Sequence, residues 1–226
     1  AFAAEGDFED DAWVVDYYTN AARLPARFQA ATGNRASASF SVTEAVRLAQ
    51  AIESYRPLFL EEPALTEDPD ALVEAKMKTS IPIAGGERCN SRDRLRELLE
   101  KRALHILQPE PTCNGGILET VKWAFLCELY HVTIAPHQAC GPVSLLACAH
   151  IDAAIPNFLI QEMRPFNDVE LSFVKSSPVV KNGHHEIPSG PGWGIELDLD
   201  AITERPFESN WYRGDQKLSD GAIAYI

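Results

Sequence analysis

From residue 41 onward the chain alternates short apolar runs with longer amphipathic segments, and an ionisable residue follows every apolar run at a nearly constant interval. The runs are Leu58-Phe59-Leu60, Ile81-Pro82-Ile83-Ala84, Leu104-His105-Ile106-Leu107, Val132-Thr133-Ile134-Ala135 and Phe158-Leu159-Ile160. The residues that follow are Glu61, Glu87, Glu110, His137 and Glu162, separated by 26, 23, 27 and 25 positions. Apolar runs this short read as buried strands, and the segments between them read as helices. A helix over 41–55 opens with a capping box, Ser41 and Glu44, and sets Val42, Ala45, Val46, Ala49 and Ile52 on one stripe. Asp68 and Pro69 supply an N-cap and first position for a helix over 70–78, and Asn90 or Ser91 caps one over 92–101. Two more are expected over 117–130, after the Gly115-Gly116 turn, and over 143–154. Strands joined through helices run parallel, so the residues just past their carboxyl ends gather on one rim, where α/β barrels and open α/β sheets place their chemistry. A single charged residue there marks only re-entry into water; five in phase point to a site.

Composition narrows the partners. A net charge of −13 repels nucleic-acid phosphates and anionic lipid headgroups, so a nucleic-acid or membrane-surface role is not expected. With 46% hydrophobic residues the chain can bury a core, which excludes a disordered tail. The cysteines Cys89, Cys113, Cys127, Cys140 and Cys148 are odd in number and show no C-x-x-C spacing, so neither a disulfide framework nor a thiolate zinc site is expected. No basic segment followed by an apolar one opens the sequence, and the longest uncharged stretch, 131–151, carries three histidines and two prolines. A cytoplasmic chain that does not span a membrane is the expectation.

Four carboxylates and an imidazole on one rim suit a hard divalent cation and, beside it, removal of a proton next to a carboxylate. The motifs Phe59-Leu60-Glu61-Glu62-Pro63, Ile83-Ala84-Gly85-Gly86-Glu87-Arg88, Leu107-Gln108-Pro109-Glu110, Ala135-Pro136-His137 and Leu159-Ile160-Gln161-Glu162 together resemble the enolase superfamily. The likeness is to its mandelate racemase/muconate lactonizing enzyme branch, which includes galactonate-dehydratase-like enzymes, over roughly residues 33–200. The resemblance implies an α/β fold, a (β/α) TIM-type barrel of the enolase C-terminal-domain type, truncated or atypical at its N-terminal end. It also implies a Mg²⁺-dependent sugar-acid dehydratase-like lyase, or a racemase of the mandelate racemase group, acting on a small-molecule acid sugar through an enediolate. By the same resemblance Glu61 and Glu87 are metal ligands and His137 is the general base. Glu110 orients His137, Glu162 hydrogen-bonds the substrate carboxylate, and Arg88 contributes to substrate binding.

The sequence departs from that pattern in ways that lower the expected activity. Glu110 stands where Asp is usual. No acidic residue lies between Asp16 and Glu44, where a further metal-ligating Asp belongs, and a Lys-x-Lys motif and an N-terminal capping domain are not found. Three earlier strands would need about 75 residues at barrel spacing, against 56 before Pro57. The division expected is an atypical segment 1–40, βα units over 41–165 carrying the site, and a C-terminal hairpin and tail over 166–226. The hairpin is expected from Leu171-Ser172-Phe173-Val174 and the run 179–187, the tail from 201–226 with one terminal strand, and a helix over 13–22. Residues 1–40, or a second copy in a homo-oligomer, are expected to cover an exposed sheet edge. Two alternatives stand beside the lyase reading: a non-catalytic remnant serving as a binding or structural module, and a Cys–His hydrolase built on Cys140 and His137. Cys140 is favoured as an ordinary small thiol, and the adjacent His184 and His185 as a solvated strand pair.

Overall fold

The computed structural model describes residues 41–206 apart from Ser177 and Val179. The expectations for 1–40, and for a strand near the carboxyl end, fall outside the described residues. The elements in order are α1 (Val42–Ile52), β1 (Leu60–Glu61), α2 (Pro69–Lys76), β2 (Ile83–Gly85), α3 (Arg92–Glu100), β3 (Ile106–Leu107), α4 (Ile117–Leu129), β4 (Thr133–Ile134), α5 (Pro142–Ala154), α6 (Asp168–Ser172), β5 (Val180–Lys181), β6 (His184–His185) and α7 (Leu199–Thr203). The four strands β1 to β4 form one parallel sheet in sequential order. A parallel bridge from Ile134 to Phe158 adds the fifth apolar run at the β4 side. Sequential parallel order with a helix in every crossover is the arrangement that βα repetition produces.

Local chemistry sets the helix boundaries. The Ser41–Glu44 capping box forms in both directions at the start of α1, and Asp68 and Ser91 accept backbone N–H bonds from Ala71 and Arg94. Arg56 ends the first helical segment in the left-handed region at φ 52°, just before Pro57. The strands are shorter than the apolar runs and are displaced toward their carboxyl ends: Leu58 is exposed, whereas pairing begins at Leu60.

The core lies between sheet and helices. Leu60, Ile83, Leu107 and Ile134 pack there with Leu72, Leu95, Leu98, Trp123, Cys127 and Ile151 from α2 to α5. The opposite face of the sheet carries a smaller cluster, Ala84, Ile106 and Ala135, with Phe59 and Ile160 against it. Among the described residues no helix is long and apolar enough to cross a membrane.

Two expectations downstream of residue 165 are corrected. Residues 171–174 are not a hairpin arm: Asn167 and Glu170 form a capping box that starts α6, and Val174 makes an antiparallel bridge to Leu197. A capped turn satisfies local N–H groups, and here it prevails over two-residue alternation. The hairpin is confined to β5 and β6, whose turn residues Asn182 and Gly183 both have positive φ, the geometry of a tight two-residue hairpin. The tail likewise does not begin irregularly at 201, because Asp198 caps α7.

Candidate active site

Strand alternation decides which residues reach the rim. Phe59, Ala84, Ile106, Ala135 and Ile160 share the face away from the helices, and the positions two residues further on each strand point the same way. Those positions are Glu61, Gly86, Gln108, His137 and Glu162. On β2 the periodic position is a glycine with φ +114°, and a Cβ there would lie 2.7 Å from Leu107 Cδ1. The turn it allows passes the rim position to Glu87. Glu110 follows Gln108 by the same step of two.

His137 is the centre of the cluster. Its Nδ1 lies 3.0 Å from Glu110 Oε2, and its Nε2 lies 3.1 Å from Glu87 Oε2 and 3.9 Å from Glu162 Oε2. The backbone N–H and hydroxyl of Thr112 both donate to Glu110 Oε1, at 2.9 and 2.7 Å, which leaves Oε2 for the imidazole. Glu162 Oε2 accepts the backbone N–H of Gln138 at 2.9 Å. Gln138 is fully buried and donates its side-chain amide to the carbonyls of Cys140 and Gly141, fixing the turn between His137 and α5.

The electrostatics follow from this crowding. Burial disfavours the charged imidazole, but the Glu110 hydrogen bond and the charges of Glu87 and Glu162 outweigh it and hold His137 up at about 9. Burial acts against ionised Glu110 as well, yet its bonds from His137 and Thr112 bring its carboxyl below the ordinary value. Glu61 accepts the Gln108 side-chain amide at 2.9 Å. Burial, then the charges of Glu162 and Glu87, push it up to about 7. Burial also raises Glu87, against the pull of His137.

Glu61, Glu87 and Glu162 therefore concentrate negative charge that His137 and Arg88 offset only in part. Partly buried carboxylates clustered at one rim are a donor set that suits a hard cation, so the residues present fit one in chemistry. Among the described residues no three His, Cys, Asp or Glu side chains are drawn together at metal-holding separation. Arg88 sits between two carboxylates, its Nε 3.7 Å from Glu62 Oε2 and 3.8 Å from Glu87 Oε1. Glu62 turns off the rim in the left-handed region at φ 36° and takes bonds from Thr66 and Gly86.

The structure thus brings Glu87, Glu110 and Glu162 each within 4 Å of a His137 nitrogen, with Glu61 coupled to Glu87 and Glu162 by charge. The Cys–His reading is corrected: both His137 nitrogens face carboxylates, and the Cys140 sulfur lies 3.7 Å from Thr112 Oγ1 instead. Sequence reasoning passed over Gln108, Thr112 and Gln138. For Gln108 the available signal was its place two residues after Ile106, on the site-facing parity of β3. Thr112 and Gln138 act through turn geometry that has no periodic signature.

A family model described as enolase C-terminal domain-like matches residues 33–201. The chain belongs to this family. As a member of the enolase C-terminal domain-like family, it is 36% identical over 185 residues to a D-galactonate dehydratase of Ralstonia nicotianae, covering 78% of this chain and 48% of that protein. It is 37% identical over 168 residues to a D-xylonate dehydratase of Haloferax volcanii, covering 73% and 40%. The chain spans about half the length of the curated relatives it matches. A solved enolase from Agrobacterium radiobacter, suggested to be a galactarate dehydratase and holding Na and L-malate, superposes with a TM-score of 0.75 at 32% identity, over 84% of this chain and 52% of that one. A mandelate racemase/muconate lactonizing enzyme-like protein from Rubrobacter xylanophilus gives a TM-score of 0.69 at 38% identity, over 75% and 44%. These solved neighbours and the sequential parallel sheet give this family member the α/β architecture expected from its repeat.

Proposed function

We propose that this chain carries the acid–base part of a sugar-acid dehydratase site, in a lyase that removes the proton next to a carboxylate and releases the neighbouring hydroxyl as water. The observation that carries the reading is the position of His137, with Nδ1 against Glu110 and Nε2 turned toward Glu87 and Glu162. Sugar-acid dehydratases among the similar proteins support the substrate class.

The residues divide the work as their contacts suggest. Glu110 is a positioning residue: accepting the Nδ1 proton fixes the tautomer in which Nε2 is the basic atom. Nε2 takes the substrate proton in the neutral form of the imidazole, which the surrounding carboxylates disfavour below about pH 9, and the same carboxylates stabilise the imidazolium once the proton is held. Glu162, whose Oε2 accepts from the Gln138 N–H, is the residue that would share a hydrogen bond with the substrate carboxylate. Arg88, between Glu62 and Glu87, offers positive charge at the same edge. Glu61 and Glu87 are the residues that would hold a divalent cation such as Mg²⁺, whose chemistry is electrophilic stabilisation of charge on a substrate carboxylate.

The test follows the proton. The chain is incubated with D-galactonate or D-xylonate and Mg²⁺ in D₂O, and loss of the C2 proton and formation of a 2-keto-3-deoxy acid are followed by NMR. Slow exchange at C2 that His137→Asn abolishes is the expected result. A folded chain that exchanges no proton, or one whose exchange survives His137→Asn, refutes the reading; the former result favours a non-catalytic binding or structural module.

A further inference from the structure

Cys113 and Cys140 take no part in that chemistry, yet the fold places both against one hydroxyl. Thr112 Oγ1 lies 3.7 Å from Cys113 Sγ and 3.7 Å from Cys140 Sγ, so the two sulfurs stand within twice that distance of each other. Cys113 is exposed in the turn over 111–115 and Cys140 is half-buried, whereas Cys89, Cys127 and Cys148 are buried. Cys140 immediately precedes Gly141, the N-cap of the thirteen-residue helix α5. Arg164 reaches the same loop and donates from Nε to the carbonyl of Ala139 at 2.9 Å. A partly accessible thiol in that setting beside a second thiol has the form of an oxidation site with its resolving partner.

We propose that Cys113 and Cys140 are an oxidisable dithiol, a modification site whose disulfide displaces Thr112 and loosens the support of His137. A peroxide is the oxidant. The Cys140 thiolate attacks one peroxide oxygen, the O–O bond breaks, and the other oxygen leaves as water, giving a sulfenic acid. The Cys113 thiolate then attacks that sulfur, the S–S bond forms, and the sulfenic oxygen leaves as a second water. The two thiols give up two electrons and two protons, and the peroxide is reduced to two waters.

The link to the candidate active site is Thr112 itself. Its N–H and hydroxyl hold Glu110 Oε1, and Glu110 Oε2 holds His137. Closing a bond between sulfurs on either side of Thr112 moves that hydroxyl. The disulfide needs nothing from the lyase reading; only the functional meaning of the Glu110 link rests on it.

The experiment treats the chain with hydrogen peroxide, alkylates the remaining thiols and digests with trypsin without reduction. Trypsin cuts after Lys122 and so separates Cys113 on peptide 103–122 from Cys140 on peptide 123–175, which runs to Lys175 because Pro165 protects Arg164. The expected product joins these peptides through Cys113 and Cys140 with loss of two hydrogens, and disappears on reduction. Cys113→Ser and Cys140→Ser each abolish it, and Cys113→Ser leaves a dimedone-reactive sulfenic acid at Cys140. Fragmentation that places the bond on Cys127 or Cys148, a linkage found only between chains, or both thiols recovered alkylated overturns the proposal. The coupling is read separately from the His137 Nδ1–H resonance, which is expected to shift on oxidation and return on reduction. An unchanged resonance overturns the coupling, and no outcome depends on dehydratase turnover.

Discussion

Replacing Glu61 with glutamine should stabilise the metal-free chain, although it removes a candidate ligand. Glu61 is raised from 4.5 to about 7, first by burial and then by the charges of Glu162 and Glu87. The folded state holds this proton more tightly than the unfolded state. No cost arises below pH 4.5, the cost grows between pH 4.5 and 7, and it is complete above 7. The interval corresponds to about 3 kcal/mol, and because Glu61 keeps part of its surface the expected gain for Glu61→Gln at pH 8 is about 1–2 kcal/mol. At this chain length that raises the melting temperature by about 3–6 °C. Glutamine still accepts the Gln108 amide, so the substitution removes the charge and spares the bond. Thermal unfolding by circular dichroism at pH 4 and pH 8, with and without millimolar Mg²⁺, is the assay. The two proteins should coincide at pH 4, separate at pH 8, and move together again when Mg²⁺ stabilises only the native sequence. A variant less stable at pH 8, or equally shifted at both pH values, would refute the electrostatic account of the site.

Three further outcomes follow. Glu110→Gln replaces the charged acceptor of the hydrogen bond that most raises His137 with a neutral one, so the His137 titration followed by NMR should fall from about 9 toward the ordinary imidazole range, while Glu74→Gln on α2 should leave it unchanged. Trp123→Ala deletes a fully buried ring whose Nε1 donates to Glu119, and urea unfolding should show a loss of about 3–5 kcal/mol. Gly86→Ala forces a side chain into φ +114° and against Leu107, so it should cost more than about 1 kcal/mol in the same assay and weaken Mg²⁺-induced stabilisation by displacing Glu87.

The sequence determined the βα order, the helix starts and which residues end on the rim, because each depends on neighbours within a few positions. Ser41, Asp68 and Ser91 cap their helices whatever lies beyond them. Two-residue parity along a strand sends Glu61, His137 and Glu162 to the side of Phe59, Ala135 and Ile160. The same local reading failed at residues 171–174, where alternation competed with the Asn167–Glu170 capping box. What only the tertiary structure decided is how the rim residues pair. Parallel pairing in sequential order brings His137 between Glu110 and Glu87, residues 27 and 50 positions away along the chain. Turns without periodic signature bring in Thr112 and Gln138. The raised Glu61 and His137 follow from that convergence, because charge interaction and burial depend on distances in space that residue order does not contain.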